Sequence, residues 1–113
     1  THMVPDEVYN YIGQAHRILK KGGYFISTFF LLDEESESLM NKKNTFNFNY
    51  KYDDYSLMNE KVKSANVAYD KNKLAIQIES RGFEIQYILK GYWCGRNKNK
   101  CQDFQDIIVM RKK

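Results

Sequence analysis

Residues 17–32 read RILKKGGYFISTFFLL, from Arg17 to Leu32, and hold three signals in a row. A helical stripe ends in Lys20 and Lys21, which suit the negative end of a helix dipole. Gly22 or Gly23 then supplies the left-handed conformation that closes a last helical turn. Tyr24 to Leu32 follows with the length and the aromatic and β-branched composition of a strand. Phe25, Ile26, Phe29, Phe30, Leu31 and Leu32 put bulk on both sides of that strand. This predicts a strand covered on both faces, as in an α/β sheet, because a hairpin open to water on one side needs only one apolar face.

Upstream, Met3-Val4-Pro5-Asp6-Glu7 reads as a helix start: proline is tolerated in the first turn, where its missing N–H has no partner, and the two acids favour the positive end of the dipole. Val8, Tyr11, Ile12, Ala15, Ile18 and Leu19 recur at helical steps and predict one apolar face lying on the sheet. Downstream, Asp33 to Lys43 places its acids before its lysines and is open between a weak helix and a loop. Thr45 to Tyr52 alternates Phe46, Phe48, Tyr50 and Tyr52 with polar residues, which predicts a strand with one covered aromatic face. Tyr55 to Tyr69 shows no clean period beyond a short Asn66-Val67-Ala68-Tyr69 run and reads as mostly irregular. Asp70 is an N-cap for a helix from Lys71 to Arg81, with Leu74, Ala75 and Ile78 as its stripe and Arg81-Gly82 as its end. Phe83 to Tyr92 and Phe104 to Lys112 read as two strands. The short polar connection between them predicts an antiparallel pair, and the helix between strands predicts a parallel one.

At 113 residues the chain reads as one domain, 1–113. Its 42% hydrophobic and 28% charged residues exclude a fibrous or disordered class. No apolar run reaches the ~20 residues of a membrane helix, and no signal peptide is visible, so the expected place is the cytoplasm, with no membrane partner. Cys94 and Cys101 lie in a Lys/Asn-rich segment without a second pair or a nearby His, and read as reduced thiols, not metal ligands. The net charge of +4 is spread along the chain. Its one dense cluster, Arg96 to Lys100, is short, so the charge argues against a nucleic-acid partner. His16 reads as a helix-end residue, and Glu34, Glu35 and Glu37 as a solvated acidic helix start.

Three motifs in order give a resemblance. Ala15-His16-Arg17-Ile18-Leu19-Lys20-Lys21-Gly22-Gly23 resembles the helix end that leads into the fifth strand of class I S-adenosylmethionine-dependent methyltransferases, with Lys21 in place of the family's usual proline. Thr1 to Val8 resembles the segment after the family's fourth strand. Gly91-Tyr92-Trp93-Cys94-Gly95-Arg96, followed by Gln105-Asp106-Ile107-Ile108-Val109, is similar to a Gly-x-Trp-x-Gly-Arg and Gln-Asp pair found in a subgroup. The resemblance covers the chain from end to end and implies the C-terminal half of that fold. It implies a partial Rossmann-like α/β sheet whose fifth, sixth and seventh strands are Tyr24 to Leu32, Phe83 to Tyr92 and Phe104 to Lys112, the seventh antiparallel between the other two. Two or three helices and the inserted aromatic strand accompany it.

The family's cofactor, S-adenosylmethionine, is held by residues N-terminal to anything in this sequence. Gly22-Gly23 closes a helix and does not open one, so it cannot present free N–H groups to an anion. The expectation is a substrate-side part that binds no cofactor alone, or else a non-catalytic interaction or assembly module derived from the same fold. The resemblance places the substrate over the loops after the fourth and fifth strands, which makes Thr1, His2, Phe30 and Asp33 candidate substrate contacts. Trp93 and Arg96 join them from the tail motif. Trp93 is open between a core role and a contact role. Arg96 is open between holding a substrate carboxylate or phosphate and pairing with Asp106. With no fourth strand in the sequence, the edge of Tyr24 to Leu32 is expected to be unpaired. That predicts a homodimer through this strand or through exchange of the segment Thr45 to Tyr52.

Overall fold

The structure is a computed structural model that describes residues 5–43, 48, 50–52, 55–58 and 66–113. Pro5 opens α1 (Pro5–Ile18), with Asp6 and Glu7 in its first turn and His16 and Arg17 in its last. Lys112 finishes this helix from across the fold: its Nζ donates to the carbonyls of His16 (2.6 Å) and Leu19 (2.8 Å), which no i+4 amide reaches. Gly22 takes the left-handed turn at φ +84°, and its N–H donates to the Lys112 carbonyl. The elements that follow are β1 (Tyr24–Leu32), α2 (Glu34–Lys43), β2 (Tyr50–Lys51), β3 (Tyr55–Leu57), β4 (Val67–Asp70), α3 (Lys71–Ser80), β5 (Phe83–Leu89) and β6 (Asp106–Lys112). Asp70 caps α3, its carboxylate accepting from the Lys73 N–H at 2.9 Å.

The six strands form one mixed sheet in the order β2-β3-β4-β1-β6-β5. β4 runs parallel to β1, with Phe30 opposite Ala68 and Leu32 opposite Asp70. β6 lies antiparallel between β1 and β5, so β5 points the same way as β1. Strand alternation divides the core. Phe29 and Leu31 of β1 point to α1 and α3, where they meet Ile12, Leu74, Ile78, Tyr69 and Ile108. Phe30 and Leu32 point to the other face and pack with Met40 of α2, Phe48 and Trp93.

Five expectations need correction. The edge of β1 is not open along Phe30 to Leu32, because β4 pairs there. β3 arises inside Tyr55 to Tyr69, the stretch read as mostly irregular, and β4 falls on its one excepted run, Asn66 to Tyr69. Val67, Ala68 and Tyr69 are all buried, since both faces of β4 are covered, and a strand buried on both faces shows no alternation to read. The aromatic strand contracts to Tyr50–Lys51, and its stripe does not share one covered face. Phe48 is buried between Phe30 and Trp93, while Tyr50 and Tyr52 are exposed; Phe46 and Thr45 lie outside the described residues. In α1 the buried face is Val8, Ile12 and Ala15, whereas Ile18 points to solvent and Tyr11 is half exposed with its ring against Phe25. The last two strands are also shorter than read, because residues 90–105 form the irregular segment that builds the site below.

Candidate functional site

Asp106 opens β6 and is 1% exposed. Its Oδ2 accepts from the Leu31 N–H (2.8 Å) and from Trp93 Nε1 (2.8 Å), and its Oδ1 accepts from the Gly91 N–H (2.7 Å). Three N–H donors from β1, the β5–β6 connection and an indole thus converge on one carboxylate. Gly91 is needed here, since a Cβ would collide with the backbone of Phe104 and Gln105 crossing beside it. Burial pushes the Asp106 carboxyl above its ordinary range, against the pull of these donors and of Arg96.

Arg96 binds the same cluster to α2. Its Nη1 donates to the Gly91 carbonyl (3.0 Å) and lies 3.4 Å from Asp106 Oδ1. Its Nε donates to Glu35 Oε1 (2.5 Å), and Nη2 lies 3.7 Å from Asp33 Oδ1. One guanidinium therefore faces three carboxylates from the end of β1, the first turn of α2 and the start of β6. Asp33 caps α2 reciprocally with Ser36: Ser36 N–H donates to Asp33 Oδ1 (2.8 Å) and Asp33 N–H donates to Ser36 Oγ (2.9 Å). Burial works to raise the Asp33 carboxyl, but the Ser36 N–H and hydroxyl, with Arg96 and Lys90, outweigh it and hold the group below its usual range. The Arg96 hydrogen bond lowers Glu35 likewise. The Glu35 side chain is 53% exposed, so its pair with Arg96 is worth little, whereas the Arg96–Asp106 contact is desolvated on both sides.

Two clefts flank this cluster. One, of about 440 Å³, is lined by Glu35, Leu39, Lys90, Arg96, Lys100 and Cys101 among others. The other, of about 540 Å³, lies at the C-terminal ends of β1 and β4 and is lined by Leu32, Asp33, Glu34, Glu35, Glu37, Asp70, Lys71 and Asn72. β1 and β4 are adjacent and parallel, and the helices that follow them, α2 and α3, pack on opposite faces of the sheet. Such a divergence opens a crevice at the strand ends, where ligands of open α/β sheets bind. Its carboxylates outnumber its one lysine, so its field disfavours anions.

No family model matches this chain, and no solved structure matches it. The structure brings Asp33 and Arg96 together, Asp33 in the crevice and Arg96 in the neighbouring cleft. Phe30 and Trp93 are each 1% exposed, pack edge to face at 5.5 Å and line neither cleft. Thr1 and His2 lie outside the described residues. Glu35, Asp70 and Lys71 enter the site, although from the sequence they read only as helix-end residues. The Asp-x-x-Ser spacing of Asp33 and Ser36 was the available signal for the cap that aims Asp33 at Arg96. Among the described residues no group of His, Cys, Asp and Glu could hold a metal ion, and no helix is long and apolar enough to cross a membrane.

Proposed function

We propose that this chain is the substrate-side part of a class I S-adenosylmethionine-dependent methyltransferase, inactive and cofactor-free by itself. The observation that carries this reading is the strand order β4-β1-β6-β5, with the last strand antiparallel between β1 and β5, and β1 entered from a helix end of sequence Leu19-Lys20-Lys21-Gly22-Gly23. The Asp106 cluster adds support, because the Gly-x-Trp-x-Gly-Arg and Gln-Asp motifs meet in it, with Gly91, Trp93 and Arg96 all binding Asp106.

The residues present do not fit the cofactor. The N–H groups of Gly22 and Gly23 donate to the carbonyls of Lys112 and Lys20, and the first turns of α2 and α3 are capped by Asp33 and Asp70. No glycine-rich turn opens a helix among the described residues, so no reaction step is assigned through S-adenosylmethionine here. In the parent enzyme this half would hold the methyl acceptor, where position and orientation supply much of the rate.

A second reading, a non-catalytic interaction module derived from the same fold, is favoured by one observation: Arg96, Asp33, Glu35 and Asp106 are all engaged with one another. The transcript upstream of Thr1 separates the two. The enzyme reading expects a glycine-rich strand-turn-helix segment there, and a longer chain that binds S-adenosylmethionine saturably in calorimetry while residues 1–113 do not. Saturable binding by residues 1–113, with a dissociation constant in the low micromolar range (about 8 kcal/mol), or none by the longer chain, would overturn it.

A further inference from the structure

Among the described residues, the face of the sheet that carries α2 is covered at β4 and at the C-terminal half of β1. Because Phe25 and Phe29 point to α1 and α3, Tyr24 and Ile26 point the other way; by the same alternation Tyr87, Leu89, Ile107 and Val109 share that side. They form rows across three strands, Ile26 beside Val109 beside Tyr87 and Ile107 beside Leu89. Among the described residues no helix lies over them. Tyr24, Ile26, Tyr87 and Leu89 are 58%, 62%, 64% and 37% exposed.

We propose that this open face of β1, β6 and β5 packs against the same face of a second copy of the chain. Three observations select that occupant. The first is area. These four residues expose roughly 400–500 Å², and the adjoining Ile107, Val109 and rim of Glu84 and Arg111 bring the face to the lower end of the about 800 Å² that each partner contributes to a stable complex.

The second is charge. The strand ends near Tyr24 carry the exposed Lys20, Lys21, Arg111 and Lys113 beside Glu84, while the opposite ends mix Asp33, Glu34, Glu37 and Asp70 with Lys71, Lys90, Arg96, Lys98 and Lys100. A two-fold axis across the strands lays the basic end of each copy over the mixed-charge end of the other, so the two basic ends do not face each other. The third is the state of the sheet edges. β2 has two residues, and β5 carries a register shift between Ile85 and Tyr87; short strands and bulges both obstruct edge pairing. Both outer edges of the sheet are thus obstructed and the edge of β1 is paired from Phe30 to Leu32, which favours association through the face. Its pairing is independent of the methyltransferase reading.

Sedimentation of the 113-residue chain between ~1 and ~100 µM tests it. A dimer with a dissociation constant of about 1–20 µM is expected. Ile26→Glu and Tyr87→Glu, both at exposed positions, are each expected to raise that constant at least ~100-fold with an unchanged circular dichroism spectrum. Ile76→Glu, at a 63% exposed position on α3, is expected to dimerise like the parent. A monomer at ~100 µM, an Ile26→Glu or Tyr87→Glu chain that dimerises like the parent, or equal disruption by Ile76→Glu would overturn the proposal.

Discussion

Replacing Asp106 probes whether one buried carboxylate ties three chain segments together. In Asp106→Ala the N–H groups of Leu31 and Gly91 and Nε1 of Trp93 lose their acceptor inside the protein. A buried donor left unsatisfied costs roughly 1–3 kcal/mol, and partial relaxation places the sum at about 3–6 kcal/mol. Arg96 keeps the Gly91 carbonyl and Glu35, so no isolated charge adds to this. For a chain of this length the loss lowers Tm by about 4 °C per kcal/mol, or ~12–25 °C.

Asp106→Asn sharpens the test. Its single amide oxygen serves either the Leu31 and Trp93 side or the Gly91 and Arg96 side, and the NH2 group is turned against the other pair of donors. It is expected to lose about 2–4 kcal/mol despite near-identical shape. Urea melts followed by circular dichroism and by the fluorescence of Trp93, the chain's single tryptophan, measure both changes. An Asp106→Asn chain within ~0.5 kcal/mol of the parent would refute the convergence of donors on Asp106 as a source of stability.

Trp93→Ala, which removes a fully buried ring from between Phe30 and Phe48, is expected to cost roughly 3–5 kcal/mol in a thermal or urea melt. Unchanged melting with lost partner binding would make Trp93 a contact residue instead. Lys112→Met keeps the aliphatic stem but leaves the His16 and Leu19 carbonyls without their cation, and about 1–2 kcal/mol of stability should go with it in the same melts. Asp33 governs part of the acid limb. Its carboxyl is held below its ordinary value of 3.8, so the unfolded chain takes up the proton first. The stabilisation is therefore present above about pH 4 and is lost as pH falls through the lower folded value. Asp33→Asn should flatten the fall in urea midpoint between about pH 4 and pH 2, and an unchanged acid limb would count against the Ser36 and Arg96 contacts.

Local chemistry was enough to read much of this protein. Pro5 with Asp6 and Glu7, the Gly22 turn, the Asp70 cap and the apolar run Tyr24 to Leu32 each act within a few residues, so α1, β1 and α3 are legible from the chain alone. The short connection after Phe83 to Tyr92 likewise announced the antiparallel pairing of β5 and β6. What sits beside β1 was decided elsewhere. β4 is four residues long and buried on both faces, so the short run Asn66 to Tyr69 shows no alternation, and only its pairing with β1 and β3 makes it a strand. Phe48 left the stripe it shares with Tyr50 and Tyr52 because the space between Phe30 and Trp93 is apolar and closed. The site follows the same division. The sequence could put Arg96 near Asp106, since a hairpin joins them. It could not bring Asp33 and Glu35 to that guanidinium across 61 or more positions, because this needs α2 packed over Trp93, and that packing exists only once the sheet has formed.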